Sequence, residues 1–252
     1  MKGDVSEIYG NHKETKPAIV QEESILGLPE PVQRHLRYAG IIGKERVNTV
    51  RLRQTGNIRQ KREQKWMPFT AEQYYTTNPP AFLWKGSVKF GPIPKFTVRD
   101  KYYQGKGNMQ VKLFSLFKVV DAIGPEIDQG TLLRYLQEAM WFPSVYLEDY
   151  IEWEALDSNT AKATMSYEGV TASAILYFGD QGEITNFVAE RYMSADGEYR
   201  LETWSTPITG YGEIRGVKIP INGRGVWSLS NGDFEYIQVN VQDIEYNQKQ
   251  AD

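Results

Sequence analysis

Apolar and polar residues alternate along most of the chain, the period-two signature of strands half-buried in a sheet. In FEYIQVNVQDIEY, Ile237, Val239 and Val241 alternate with Gln238, Asn240 and Gln242, so one face meets a core and the other meets water. Similar stretches run from Val47 to Ala122 and again from IEWEALD onwards. They are separated by turn signals at Gly56-Asn57, Asn78-Pro79-Pro80, Gly91-Pro92-Ile93-Pro94, Gly105-Lys106-Gly107-Asn108, Gly179-Asp180-Gln181-Gly182, Ala195-Asp196-Gly197, Gly210, Asn222-Gly223 and Ser230-Asn231-Gly232-Asp233. Turns this frequent leave no room for βαβ crossovers. The expectation is a mainly β (α+β) chain with about eleven antiparallel strands in one curved sheet or half-barrel. No internal repeat of a propeller or solenoid stands out.

One segment breaks the rhythm. In GPEIDQGTLLRYLQEAMWFP, Gly124 to Pro143, the residues Leu132, Leu133, Leu136, Ala139 and Met140 form a helical stripe that packs on the sheet, with Asp128 as the expected N-cap and Pro143 as the stop. This central helix splits the strands into two sets. Its other face carries Arg134, Glu138 and Trp141, read either as a solvated i,i+4 ion pair or as the rim of a pocket or partner surface. A shorter helix is expected in LPEPVQRHLRYAG, where Leu28, Val32, Leu36 and Ala39 recur at helical spacing and Gly40 ends the run. Residues 1–24 are polar and aperiodic and predict a flexible or loosely docked tail, followed by a single β-rich domain over 25–252.

Composition narrows the function classes. A formal charge of −3 gives no global attraction to nucleic acid or an anionic membrane, and aromatic residues at 13% suit strands facing a core on one side. Without cysteine there is no disulfide framework, thiolate metal site or cysteine nucleophile. The first 24 residues hold no apolar run long enough for a signal peptide or membrane span, which gives the expectation of a soluble, cytoplasmic protein. No phosphate-binding loop, dinucleotide fingerprint or nucleophile elbow is present, and no cofactor is implied.

The candidate chemistry is sparse. Of the two histidines, His12 lies in the tail, and His35 shares a helix side with Leu28 and Leu36, which fits a hydrogen-bonded imidazole better than a catalytic one. Glu126 and Asp128 flank the central helix start, where capping explains them. Should they meet Glu190, Asp100 or Asp121 across the fold, a carboxylate pair could do acid–base work or hold a hard cation, although no calcium-loop spacing is present. Arg51, Arg53, Arg59, Lys61, Arg62 and Lys65 read as a solvated hairpin or charged edge, or as a docking patch for a membrane surface or an acidic partner. Nucleic acid is disfavoured there for want of interleaved aromatic platforms.

The blocks LPEPVQRHLRYAG, WMPFTAEQYY with NPPAFLW, RDKYYQGKGNMQVKL and GPEIDQGTLLRYLQEAMWFPS together resemble a bacterial domain family of unknown function over about residues 26–246. That resemblance implies no activity and no transferable catalytic residue. More distantly, the strand plan is similar to the half-barrel lipoprotein carriers of the LolA and LolB type, which implies an apolar cavity. The leading expectation is a non-enzymatic binder of an apolar or amphipathic ligand, such as an acyl chain. Candidate wall residues are Phe82, Trp84, Phe114, Trp141, Phe142, Tyr177 and Trp227, with Arg134 and Glu138 beside them. One alternative is a carboxylate enzyme using Glu126, Asp128 and Glu190, with Arg134 orienting an anionic substrate. Another is a protein-interaction module built on Trp141 and the Arg51 to Lys65 face.

Overall fold

A computed structural model describes residues 2–10, 18–90, 93–195 and 197–248. His12, Gly91, Pro92 and Asp196 lie outside the described residues. Six strands come first: β1 (Thr49–Ile58), β2 (Met67–Thr77), β3 (Pro80–Phe90), β4 (Ile93–Tyr103), β5 (Lys106–Leu113) and β6 (Phe117–Ala122). Eight follow the central helix: β7 (Ile151–Ala155), β8 (Thr160–Tyr167), β9 (Val170–Phe178), β10 (Ile184–Ala195), β11 (Glu198–Ser205), β12 (Ile208–Ile214), β13 (Val217–Leu229) and β14 (Gly232–Tyr246). The helices are α1 (Lys2–Gly10), α2 (Glu30–Ala39) and α3 (Pro125–Glu138).

The strands form one sheet in the order β6-β5-β4-β3-β2-β1-β14-β13-β11-β10-β9-β8-β7, with β12 paired to the first half of β13. Two antiparallel meanders meet at the β1–β14 seam. They are joined on the outside only by the segment that leaves edge strand β6, runs through α3, and enters edge strand β7. Because α3 packs against β4 and β5 on one side and against β8, β9 and β10 on the other, the sheet curls around it as a half-barrel. The expected fold class holds, with fourteen strands rather than about eleven.

The difference in strand count has local causes. Gly56-Asn57 is not a turn: β1 runs straight through it, because a Cβ at Gly56 would lie 2.0 Å from the Gln238 carbonyl and 2.7 Å from the Phe69 ring. This glycine admits a close backbone approach. The actual connection is residues 59–66. Tail residues 2–10 form α1, whose Val5 and Ile8 cover Tyr74, Ala81 and Leu83 on the convex face, while Asp4 and Glu7 bind Arg99 and Lys101. Of the tail expected over 1–24 to be flexible or loosely docked, residues 2–10 are docked: two buried aliphatics and two ion pairs hold a helix too short to stand alone.

The main core lies between the concave face and α3, with Leu132, Leu133, Tyr135 and Leu136 fully buried. α2 ends as expected at Gly40, with φ 72°. On it, His35 is buried and bonds the Gly182 carbonyl through Nδ1 at 2.9 Å, against the rings of Tyr146 and Phe178. Burial, opposed by that carbonyl, pushes its pKa down to about 4, so the ring is neutral at pH 7.

Candidate functional site

The position of α3 decides what faces the concave side. Pro125 opens the helix and Gly124 is its N-cap, so the expected Asp128 cap is corrected: a proline pre-set for the first helical position starts the helix earlier. Asp128 instead accepts from the Gly107 N–H at 2.7 Å and from Lys106 Nζ at 2.9 Å, tying the helix to the start of β5. Gly107 allows that approach, since a Cβ there would lie 2.4 Å from Thr131 Oγ1 and 2.6 Å from the Ile127 carbonyl. At the far end, Tyr135 donates to the Thr76 carbonyl, and Trp141 Nε1 donates to the Pro220 carbonyl at 3.0 Å. The helix is therefore fixed at both ends across the half-barrel.

This placement buries the polar face of α3 as well as its apolar stripe. Arg134 donates from Nε to Glu138 Oε1 at 2.8 Å and from Nη1 to Asp100 Oδ2 at 2.7 Å. Glu138 Oε2 also accepts from Gln73 Nε2 at 2.7 Å and from the Tyr75 hydroxyl at 2.9 Å. The Glu138 side chain is only 5% exposed, so the solvated ion pair expected at this spacing is corrected to a buried five-residue network. Burial works against the Arg134 charge, but the Glu138 and Asp100 carboxylates outweigh it and hold the guanidinium more firmly protonated than usual. The Tyr75 hydroxyl is pushed well up, by burial and then by Glu138. Arg134 also stacks near Phe82 and Trp84, 5.1 and 5.2 Å from ring centre to guanidinium carbon, and Trp84 Nε1 donates to Gln54 Oε1.

Beside this network lies a cavity of about 230 Å³. Its walls are mainly apolar: Phe69, Trp84, Val98 and Met109 from the first meander, Met140 and Trp141 after α3, and Ile208, Ile221, Ile237, Val239 and Val241 from the second. Among its polar lining residues, which include Gln54, Gln137, Asn222 and Arg224, two groups stand out: the Arg134, Asp100 and Glu138 network, and Arg191, Trp204 and Thr206. There the Arg191 guanidinium stacks 4.5 Å from the Trp204 ring centre, and among the described residues it has no hydrogen bond or ion pair. Glu202, its cross-strand neighbour, does not pair with it. Trp204 Nε1 and Thr206 Oγ1 are buried and also lack a partner.

The structure brings four of the nominated ligand-binding residues to the cavity wall: Trp84, Arg134, Glu138 and Trp141. Phe82 and Phe142 are fully buried core under α3, and Trp227 stands behind Trp204, ring centres 6.5 Å apart. Phe114 is 53% exposed at the tip of the β5–β6 hairpin, beside the exposed Leu116 and Phe117, and Tyr177 is exposed on β9, so neither is near the cavity. Glu126, Asp128 and Glu190 are not brought together: Asp128 is spent on β5, and Glu190 is on the outer face accepting from Thr203 Oγ1. Asp121 is on β6, paired with Lys118 and Asn108. No group of three or more His, Asp or Glu side chains among the described residues is placed to hold a metal.

Arg191, Trp204 and Thr206 were missed by sequence reasoning. The available signal was alternation, since Arg191 shares a strand face with the core residues Phe187 and Ala189, and Thr206 follows Trp204 by two. The basic stretch is also corrected. β1 is central rather than an edge, and Arg51 and Arg53 pair with Glu72, Glu245 and Asp243. Arg59 and Arg62 bind backbone carbonyls of residues 62 and 232–235. A wider groove of about 580 Å³ on the convex face is lined mainly by charged and polar side chains, among them Asp4, Arg53, Glu72, Lys85 and Arg99, several of them ion-paired.

A family model described as a family of unknown function (DUF6544) matches residues 18–239. No curated protein matches the chain. Among solved structures, a DUF1329 family protein from Desulfovibrio piger is similar at a TM-score of 0.50 with 10% identity, covering 89% of this chain and 95% of that one. A LolA superfamily protein from Nitrosomonas europaea is similar at a TM-score of 0.48 with 10% identity, covering 86% and 94%. At these identities the first likeness shows a shared fold and nothing about ligands.

Proposed function

The chain belongs to DUF6544, a family of unknown function, and we propose that it binds an apolar or amphipathic small molecule in the cavity beneath α3, without chemistry on it. One observation carries the proposal: a concave, mainly apolar cavity into which a limited set of polar side chains opens, the usual make-up of a small-molecule site. A void this size lined by tryptophan, isoleucine and valine gains little from water, so an apolar occupant is favoured. The two carboxylates at its wall are committed to Arg134, which assigns them to holding α3 in place rather than to proton transfer.

Native mass spectrometry of the purified protein, with analysis of its organic extract, tests this. The expected result is a stoichiometric apolar or amphipathic compound, or its uptake on incubation with mixed lipids and medium-chain amphiphiles. Val239→Trp, which fills the cavity from β14, is expected to abolish that uptake while circular dichroism stays native. An apo mass under all these conditions overturns the proposal.

A further inference from the structure

Resting on that proposal, we infer that the ligand is headed by a carboxylate, seated on Arg191, Trp204 and Thr206, with an aliphatic tail along the isoleucine and valine wall. The three side chains supply hydrogen-bond donors with nothing in the protein to receive them. Arg191 offers a planar fork of N–H groups and has no carboxylate partner among the described residues. The indole Nε1 of Trp204 can only donate, and the Thr206 hydroxyl is unpartnered beside the same cavity. Trp204 Nε1 and Thr206 Oγ1 are buried donors without acceptors, which is costly unless a ligand or water completes them, and an anion seated on the half-buried Arg191 completes both.

The carboxylates of the cavity wall bias the direction. Asp100 has a buried carboxylate oxygen, Oδ1, without a donor, and it lies beside a guanidinium already saturated by two acids. An anionic head is repelled there and attracted to Arg191, so an amphiphile enters the cavity in one orientation. A cavity of about 230 Å³ is small for a ligand site, which makes a medium-chain carboxylate the first probe of it.

Titration with octanoate and 1-octanol, followed by calorimetry and tryptophan fluorescence, separates head from tail. The native protein is expected to bind octanoate about tenfold more tightly than octanol, or better. Arg191→Met and Thr206→Val should each move that ratio toward one, with folding checked by circular dichroism. If Arg191→Met does not fold, Arg191→Lys with Thr206→Val carries the same comparison. Equal affinities in the native protein, or an undiminished ratio in the folded variants, overturn the carboxylate assignment and leave the apolar cavity standing. Binding of neither probe, nor of longer-chain homologues, removes both.

Discussion

Arg134 and Arg191 line the same cavity, each stacked near a tryptophan, with Trp84 at 5.2 Å and Trp204 at 4.5 Å from guanidinium carbon to ring centre. Around Arg134, the elements α3, β2 and β4 deliver Glu138, Asp100, Gln73 and Tyr75, so both Glu138 oxygens and Asp100 Oδ2 meet fixed donors. Around Arg191, β11 and the residue after it deliver the unpartnered Trp204 Nε1 and Thr206 Oγ1, and the facing Glu202 makes no ion pair with it. An arginine saturated by carboxylates holds the fold together, whereas one left with aromatic stacking alone is available for recognition. The difference lies in what the neighbouring strands present, since the side chain is the same.

The largest expected effect comes from breaking the saturated side. Glu138→Leu keeps the volume roughly constant but strands Gln73 Nε2, the Tyr75 hydroxyl and Arg134 Nε in a buried site. Leaving buried donors and a half-paired charge costs on the order of 3–5 kcal/mol. The midpoint of urea unfolding should drop accordingly with little change in slope. A loss below about 1 kcal/mol would mean that water replaces Glu138 and that this wall is as open as the other.

A pH series sharpens the contrast, because His35 sets the background against which both arginine variants are read. Its folded pKa of about 4 lies below the ordinary value of 6.5, with the neutral ring facing the Gly182 carbonyl, Tyr146 and Phe178. Above pH 6.5 both folded and unfolded forms are neutral and the stability is full. As pH falls toward 4 the unfolded chain takes up a proton that the folded one refuses, and stability drops by up to roughly 3 kcal/mol. Urea midpoints at pH 7 and pH 4.5 should show that drop, and His35→Gln should flatten it.

The strands, the central helix and its role in splitting two strand sets could be read from the sequence, because alternation and turn residues are local signals. The helix face was legible as a pattern but not in its fate: spacing paired Arg134 with Glu138, yet only the curl of the sheet brings Asp100, Gln73 and Tyr75 onto them. Of the nominated aromatics, Trp84 and Trp141 reach the cavity wall and Phe114 does not, since a residue near a hairpin tip has the same composition signal as one in a wall. Arg191 was hidden by its strand, because a charged residue in an alternating run reads as outward-facing until the register is known. Gly56 misled for a related reason, as close approach of two strands and a tight turn both select glycine.

The smallest expected effect, and the one that completes the comparison, is the loss of Arg191 in the empty protein. Its guanidinium makes no hydrogen bond or ion pair among the described residues, so Arg191→Met forfeits the stacking on Trp204, about 0.5–1 kcal/mol, and keeps most of the aliphatic packing. Removing a donor group that lacks acceptors also relieves some desolvation, which offsets part of that loss. The variant should therefore unfold within about 1 kcal/mol of the native protein, in contrast to Glu138→Leu. Repeating the unfolding in saturating octanoate should then separate the two, since a ligand that binds only the folded form raises stability in proportion to its affinity. The native protein should gain more than the Arg191 variant. An equal gain would place the anionic head elsewhere in the cavity and leave Arg191 as a stacking residue only.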